Sequence, residues 1–308
     1  MKPTINQART KRAFTIVELL TVMSIIVVLI GLLVPALNKA RRYATLVRQK
    51  AQLHSMDAAI ELFNNEYGSY PPSGALDQAP NRSPLPYCGA MKLCEALMGQ
   101  DLLGFHSNSI FRQDGLSSTG AVLYPANIDL LSEADRAATL TARMGPYLAA
   151  ESANAWQMQD LYGSNLAAGG QTFLGTSRVL CDVYERPMQS GKKAGMPILY
   201  YKADTTNTQH DPSLAMSANN SAGNIYNYLD NDALVALGKP WMTQGAPEAT
   251  HSMATRARFY LNTKSDKIMT ASRPFRPDQY LLISAGWDNE YGTADDVCNF
   301  EWKYQELP

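Results

Sequence analysis

KRAFTIVELLTVMSIIVVLIGLLVPALNKARR, residues 11–42, is the stretch on which the fold turns. From Leu19 to Val34 it holds no charge, and most of its side chains are Leu, Ile or Val. As a helix, Phe14 to Leu37 would extend ~36 Å, enough to cross the hydrocarbon core of a bilayer. The helical pattern continues past that run. Ala40, Ala44, Val47 and Ala51 recur at three- and four-residue steps, and Ala59, Ile60 and Phe63 resume the stripe. Phe14 to Asn64 would then be a rod of ~75 Å, longer than a compact domain needs. Its first half requires lipid or other apolar helices. Its second half requires one covered face, while Lys39, Arg41, Arg42, Arg48 and Lys50 stay in water.

Lys2, Arg9, Lys11 and Arg12 precede the run without any acid between them, as in a secretory signal peptide. Such a peptide ends at a small-residue cleavage site after its apolar core, whereas here the helical pattern runs on. Lys39, Arg41 and Arg42 follow closely, so charge bias does not fix an orientation across a membrane.

Glu18 stands at the mouth of the apolar run, where a carboxylate costs roughly 2.5–3.5 kcal/mol to insert. A group of opposite charge at the same depth would remove much of that cost. Cleavage between Ala13 and Phe14 would create one, the α-amine of Phe14. Between two staggered copies, Glu18 of one could meet the amine of the other, and the penalty for burying either charge alone would favour the matched stagger. The plainer alternative is a membrane anchor whose Glu18 reaches back to the interface.

KRAFTIVELL, followed by an apolar helix and Pro35, resembles the class III signal of type IV pilins and type II secretion pseudopilins. The resemblance implies that residues 1–13 are a leader removed by a membrane prepilin peptidase before Phe14, whose new amine is then methylated. The residue before the cut is Ala13, where the family usually has Gly. Glu18 matches the family's assembly glutamate, fifth after the cut. Pro35 matches the proline that kinks or locally melts the pilin helix, because proline removes a backbone hydrogen bond and crowds the preceding turn. Residues 14–37 would be the transmembrane and assembly helix, 38–66 its amphipathic continuation, and 67–308 an extracytoplasmic head.

The totals agree with such a head. The chain has 308 residues, 45% hydrophobic and 18% charged, enough for one or two cored domains. A net charge of −1 supplies no general field for nucleic acid. Cys88, Cys94, Cys181 and Cys298 permit two disulfides in a chain that leaves the cytoplasm, with three possible pairings. We favour a local Cys88–Cys94 bridge, which leaves Cys181 for Cys298; four reduced, buried cysteines are the bland alternative. Zinc is disfavoured, because CxxC is absent and His54, His106, His210 and His251 lie far from any cysteine pair.

Along the head, YCGAMKLCEALMGQD predicts a short helix over about 90–98, and DLLSEADRAATLTARMGPYL a helix capped by Ser132 with Asp135 and ended by Gly145 and Pro146. Residues 100–175 read as an insertion. RVLCDVYERPM and MPILYYKAD predict a hairpin around QSGKKAG, which is a solvated turn rather than a phosphate loop. Residues 204–225 are polar and expected to be mobile, and YNYLDNDALVALG predicts a helix ending at Gly238.

DQYLLISAGWDNEYGTADDVCNFEW is the second decisive stretch. YLLIS reads as a buried strand, VCNFEW as the start of another, and the turn between them gathers Asp288, Glu290, Asp295 and Asp296. A hard divalent cation would relieve their repulsion, although the spacing is not that of an EF-hand. A hydrated acidic hairpin is the alternative. Ser284, Gly286, Asp288, Gly292, Thr293 and Asp296 resemble the C-terminal calcium loop of major type II pseudopilins, within a loop spanning 284–299. The resemblance implies a structural Ca²⁺, with Asp288 and Asp296 as foremost ligands, then Asp295, with Ser284 beside them and Glu290 undecided.

The expected fold is α+β: a long N-terminal helix, its second half packed on a small antiparallel sheet, with a helical and loop insertion. GxSxG, HExxH and GxGxxG are all absent, so an enzyme is not expected. The expected function is a structural subunit of a type II secretion pseudopilus or type IV pilus-like filament, anchored by a single pass in a bacterial inner membrane. Its head would lie in the periplasm or on the cell surface, and its partners would be other pseudopilins, the peptidase and the assembly platform. A minor, tip-located pseudopilin and a membrane-anchored binding head are the alternatives.

Overall fold

Alternation along two strands sorts the interior into two cores. The computed structural model describes residues 15–306, apart from 81, 169, 189, 219, 244 and 269. By Cα proximity the chain divides into Met1–Thr45 and Leu46–Pro308. The leader, Ala13 and Phe14 lie outside the described residues.

In the second unit, a central strand, Tyr280–Ser284, pairs antiparallel with Leu199–Lys202 on one side and Val297–Cys298 on the other. It is buried along its whole length, as a strand of apolar residues paired on both edges should be. Leu199, Tyr201, Leu281 and Ile283 enter one core; Tyr200, Tyr280 and Leu282 enter the other. This is the two-residue period of a pleated sheet. The first core is filled by short helices, including Asp232–Ala236 and Arg256–Asn262, through Leu234, Val235, Phe259 and Tyr260. The second is filled by Leu53, Met56, Ile60 and Phe63 of a long helix, Ile16–Tyr67. The architecture is α+β.

The buried stripe of the long helix is Gln49, Leu53, Met56, Ala59, Ile60 and Phe63, at steps that keep one face inward. Ala59, Ile60 and Phe63 are as expected. Ala40, Ala44, Val47 and Ala51 are exposed, so the stripe before residue 53 is corrected. Alanines bury too little area to fix a register, and Gln49 holds the inward place by accepting a hydrogen bond from the Val183 N–H at 2.9 Å. Asn299 Nδ2 adds a tie to Asp57 Oδ1 at 3.0 Å. Pro35 lies inside a helical segment that continues through it.

The helix Gly89–Met98 is buried throughout. A Cβ on Gly89 would stand 2.2 Å from the Tyr200 carbonyl oxygen, so only glycine admits this approach of helix to strand. Ser132 caps Glu133–Thr141 by accepting from the Asp135 N–H at 3.1 Å. That helix ends before Gly145 and Pro146, because Arg143–Met144 pairs with Phe105–His106. The predicted hairpin is present in part. Arg186–Pro187 pairs with Lys193–Ala194 around an exposed turn and Cys181 bridges Pro197, while Arg178–Leu180 also pairs with Ala155–Gln157. Residues 100–175 contribute to both cores, through Phe105 and Leu148 on one side and Met158, Leu161 and Tyr162 on the other. Within residues 204–225, side-chain amides tie the described loops to one another. Asn207 Nδ2 donates to Asp204, Ser221 and the Asn224 carbonyl, and Asn224 accepts from the Asp211 N–H.

Neither expected disulfide is present, and all four cysteines are free thiols. Cys88 precedes the helix and packs in the first core, whereas Cys94 lies within it and packs in the second. Six residues of helix turn the two away from one another. Burial pushes the Cys88 thiol up to about 11 and that of Cys94 up to about 12, so both are protonated and inert at neutral pH.

Candidate functional site

Two features concentrate chemistry: the entrance of the long helix and the acidic turn after the central strand. At the entrance, Thr15 and Glu18 form a reciprocal cap. The Glu18 N–H donates to Thr15 Oγ1 at 3.2 Å, and the Thr15 N–H and hydroxyl each donate to Glu18 Oε2 at 2.9 Å. This is a Thr-x-x-Glu capping box, which gives the carboxylate local donors and places it against the positive end of the helix dipole. The signal was present in the sequence, where Glu18 drew attention and Thr15 did not. Beyond the cap, Leu19 to Val34 exposes every large apolar side chain, and this one N-terminal helix is long and apolar enough to span a membrane.

The acidic turn is folded by Gly286, whose φ of +66° suits glycine and where a Cβ would stand 2.2 Å from the Asp295 carbonyl oxygen. The turn therefore doubles back, and the Asp288 N–H donates to Asp295 Oδ2 at 3.0 Å. The Thr293 hydroxyl donates to Asp295 Oδ1 at 2.8 Å. Asp296 is buried and accepts from the N–H groups of Gly292 at 2.8 Å and Thr293 at 3.3 Å. Burial drives the Asp296 carboxyl well above the usual carboxylate range. Partial burial, together with the neighbouring Asp295, pushes Asp288 up to about 6.

Asp288, Asp295 and Asp296 are thus brought together, whereas the expected Ser284 and the undecided Glu290 are engaged elsewhere. Ser284 Oγ instead donates to Asp182 Oδ2 at 2.9 Å, inside the protein. Glu290 turns to the opposite wall, where Lys239 Nζ lies 2.6 Å from Oε2 and Ser252 donates to Oε1 from both its N–H and its hydroxyl. Beside it the Tyr291 N–H donates to His251 Nδ1 at 3.3 Å, and burial lowers that imidazole to about 4. Among the described residues, no group of three His, Cys, Asp or Glu side chains is arranged to hold a metal ion. The side chains alone do not make a cage. What the turn offers a cation is the Asp288–Asp295 pair together with its own carbonyls.

Asp182 is the residue that sequence reading missed. It is fully buried and accepts from the N–H groups of Tyr184 at 3.2 Å and Met196 at 3.1 Å as well as from Ser284. Burial pushes its carboxyl up to about 7. Its partners lie 2, 14 and 102 residues away along the chain, so no local pattern could reveal it.

Compared with family models, with curated proteins and with solved structures, the chain matches none of them.

Proposed function

We propose that the chain is a structural, pilin-like subunit of a type II secretion pseudopilus or type IV pilus-like filament, without chemistry of its own. One observation carries this reading: a single helix joins an uncovered apolar front, opened by a carboxylate, to a back that is covered by a folded head. An uncovered stripe of that length requires lipid or sister helices. In the proposed filament, Glu18 exchanges part of its Thr15 cap for the Phe14 amine of a neighbouring copy. The membrane would be a bacterial inner membrane, and the head periplasmic or on the cell surface. The size of the head favours a second reading, a minor subunit at the filament tip, and copy number in isolated filaments separates the two.

Glu18→Gln tests the proposal cleanly. Glutamine also serves a capping box, so the helix start is kept while the charge is lost. We expect normal membrane insertion and no filaments; filaments at the wild-type level would refute the ionic pairing and leave Glu18 a cap. Mass spectrometry of protein extracted from membranes should find a methylated Phe14 at its N-terminus.

A structural Ca²⁺ belongs to the proposal in narrowed form. Asp288 and Asp295 would hold it with backbone carbonyls of the turn, Asp296 being engaged by the turn's own amides. The ion would neutralise the crowded carboxylates and fix the turn against the sheet. Calorimetric titration of the detergent-solubilised chain with Ca²⁺ should release heat and raise the melting temperature, and Asp288→Asn should abolish both. An absence of heat and of any melting shift would remove the ion.

A further inference from the structure

Immediately past its apolar run, the long helix turns strongly basic. Lys39, Arg41, Arg42, Arg48 and Lys50 fall within twelve residues, and from Leu19 to Met56 the sequence holds no acid. All five are exposed. Among the described residues, no carboxylate forms an ion pair with Lys39, Arg41, Arg48 or Lys50. The buried cations of the head are treated differently: Arg112 is paired with Asp114 at 2.7 Å and Arg143 with Asp101 at 2.9 Å.

The apolar run sets the level of these charges. Leu37 is its last large apolar residue before the first cation. With Leu37 at the edge of the hydrocarbon, a helix places Lys39, Arg41 and Arg42 about 3–8 Å beyond it. The headgroup layer of a bilayer is about 5–8 Å deep, so all three emerge within it. Tyr43, 69% exposed, follows at once, and tyrosine favours that same boundary. Arg48 and Lys50 come at least six residues later, about 9 Å further along a helix and more than a Debye length of ~8 Å.

We infer that Lys39, Arg41 and Arg42 form a collar that binds the phosphates of anionic membrane lipids in the leaflet from which the helix emerges. Lys39 and Arg41 are two residues apart and leave a helix on nearly opposite sides. A folded partner meets one side of a helix, whereas lipid headgroups surround it. A sister copy at the same level brings the same cations and no acid. Guanidinium forks suit phosphate oxygens, and each cation at an anionic surface contributes about fivefold to association. The collar would fix the depth of the helix and concentrate the chain where anionic lipid is abundant. The inference rests on the membrane-spanning part of the reading above, and on neither filament formation nor orientation.

The test is electron paramagnetic resonance on the full chain reconstituted in phosphatidylcholine bilayers. It compares spin-labelled phosphatidylglycerol with spin-labelled phosphatidylcholine. The anionic label should associate with the chain several-fold more strongly, and about 1 M salt should shrink the difference. Lys39→Gln/Arg41→Gln/Arg42→Gln should remove most of the preference. Glutamine keeps helix propensity at these exposed positions, so the helix is retained. Arg48→Gln/Lys50→Gln should leave most of the preference, as should glutamine at Lys2, Arg9, Lys11 and Arg12, the cations before the run. Equal association of the two labels, a preference that survives the triple variant, or an equal loss from either comparison variant would each overturn the collar. Failure to enter bilayers of either lipid would remove the spanning reading as well; entry without preference would remove this inference alone.

Discussion

The front and back halves of the long helix obey opposite rules. From Leu19 to Val34 apolar side chains occupy nearly every position and all the large ones are exposed. From Gln49 to Phe63 apolar residues occupy one face, and that face is buried. Continuous hydrophobicity allows a helix to rotate freely in lipid or among its copies, whereas a single stripe fixes which face meets the sheet. The same backbone element thus has a half that any apolar surroundings will satisfy and a half that only one partner satisfies.

Truncation should expose this difference most strongly. Phe63 packs against the rings of Tyr67, Phe105 and Tyr147, with centroids 4.5–6.0 Å away. Phe63→Ala should lower the stability of the head by about 3–5 kcal/mol, read from urea midpoints in detergent. Ile26→Ala in the front half should leave that midpoint unmoved. A comparable loss from Ile26→Ala would break the distinction.

A smaller effect concerns Asp182, which lies against the sheet rather than on the helix. Its folded pKa, about 7, is above the ordinary value, so the folded state holds the proton more tightly than the unfolded chain. The resulting stability is fully present below about pH 4 and is lost as pH rises through 7. Asp182→Asn removes that loss. The variant should equal the wild type near pH 4 and exceed it above pH 7 by on the order of 2–4 kcal/mol, measured as urea midpoints across pH. Parallel profiles would show that Asp182 is already ionised in the fold.

The smallest expected change sharpens the boundary between the two halves. Gln49→Ala leaves the Val183 N–H without its acceptor and should cost about 1–3 kcal/mol by the same measurement. Val47→Ala, two residues earlier and exposed, should cost within about 0.5 kcal/mol.

Much of this comparison was legible in the sequence. The front half declares itself by an unbroken apolar run, and the central strand by Tyr-Leu-Leu-Ile-Ser between turn residues. Ser132 and Asp135 announced a helix start because the cap is local. The first turns of the buried stripe were not legible, since a glutamine holds the inward place and its partner is 134 residues away. In the acidic turn, Asp288 and Asp295 could be gathered by their spacing. The diversion of Ser284 to Asp182, and of Glu290 to Lys239 and Ser252, depends on segments that sequence proximity does not connect.

The alternating strand at the heart of the head has a further consequence. Tyr280 and Leu282 serve one interior while Leu281 and Ile283 serve the other, so a shift of a single residue would exchange every one of them at once. Loss of one codon between Gln279 and Ser284 would therefore be far more damaging than any single substitution there. Selection can tune these positions individually, but it cannot change their number.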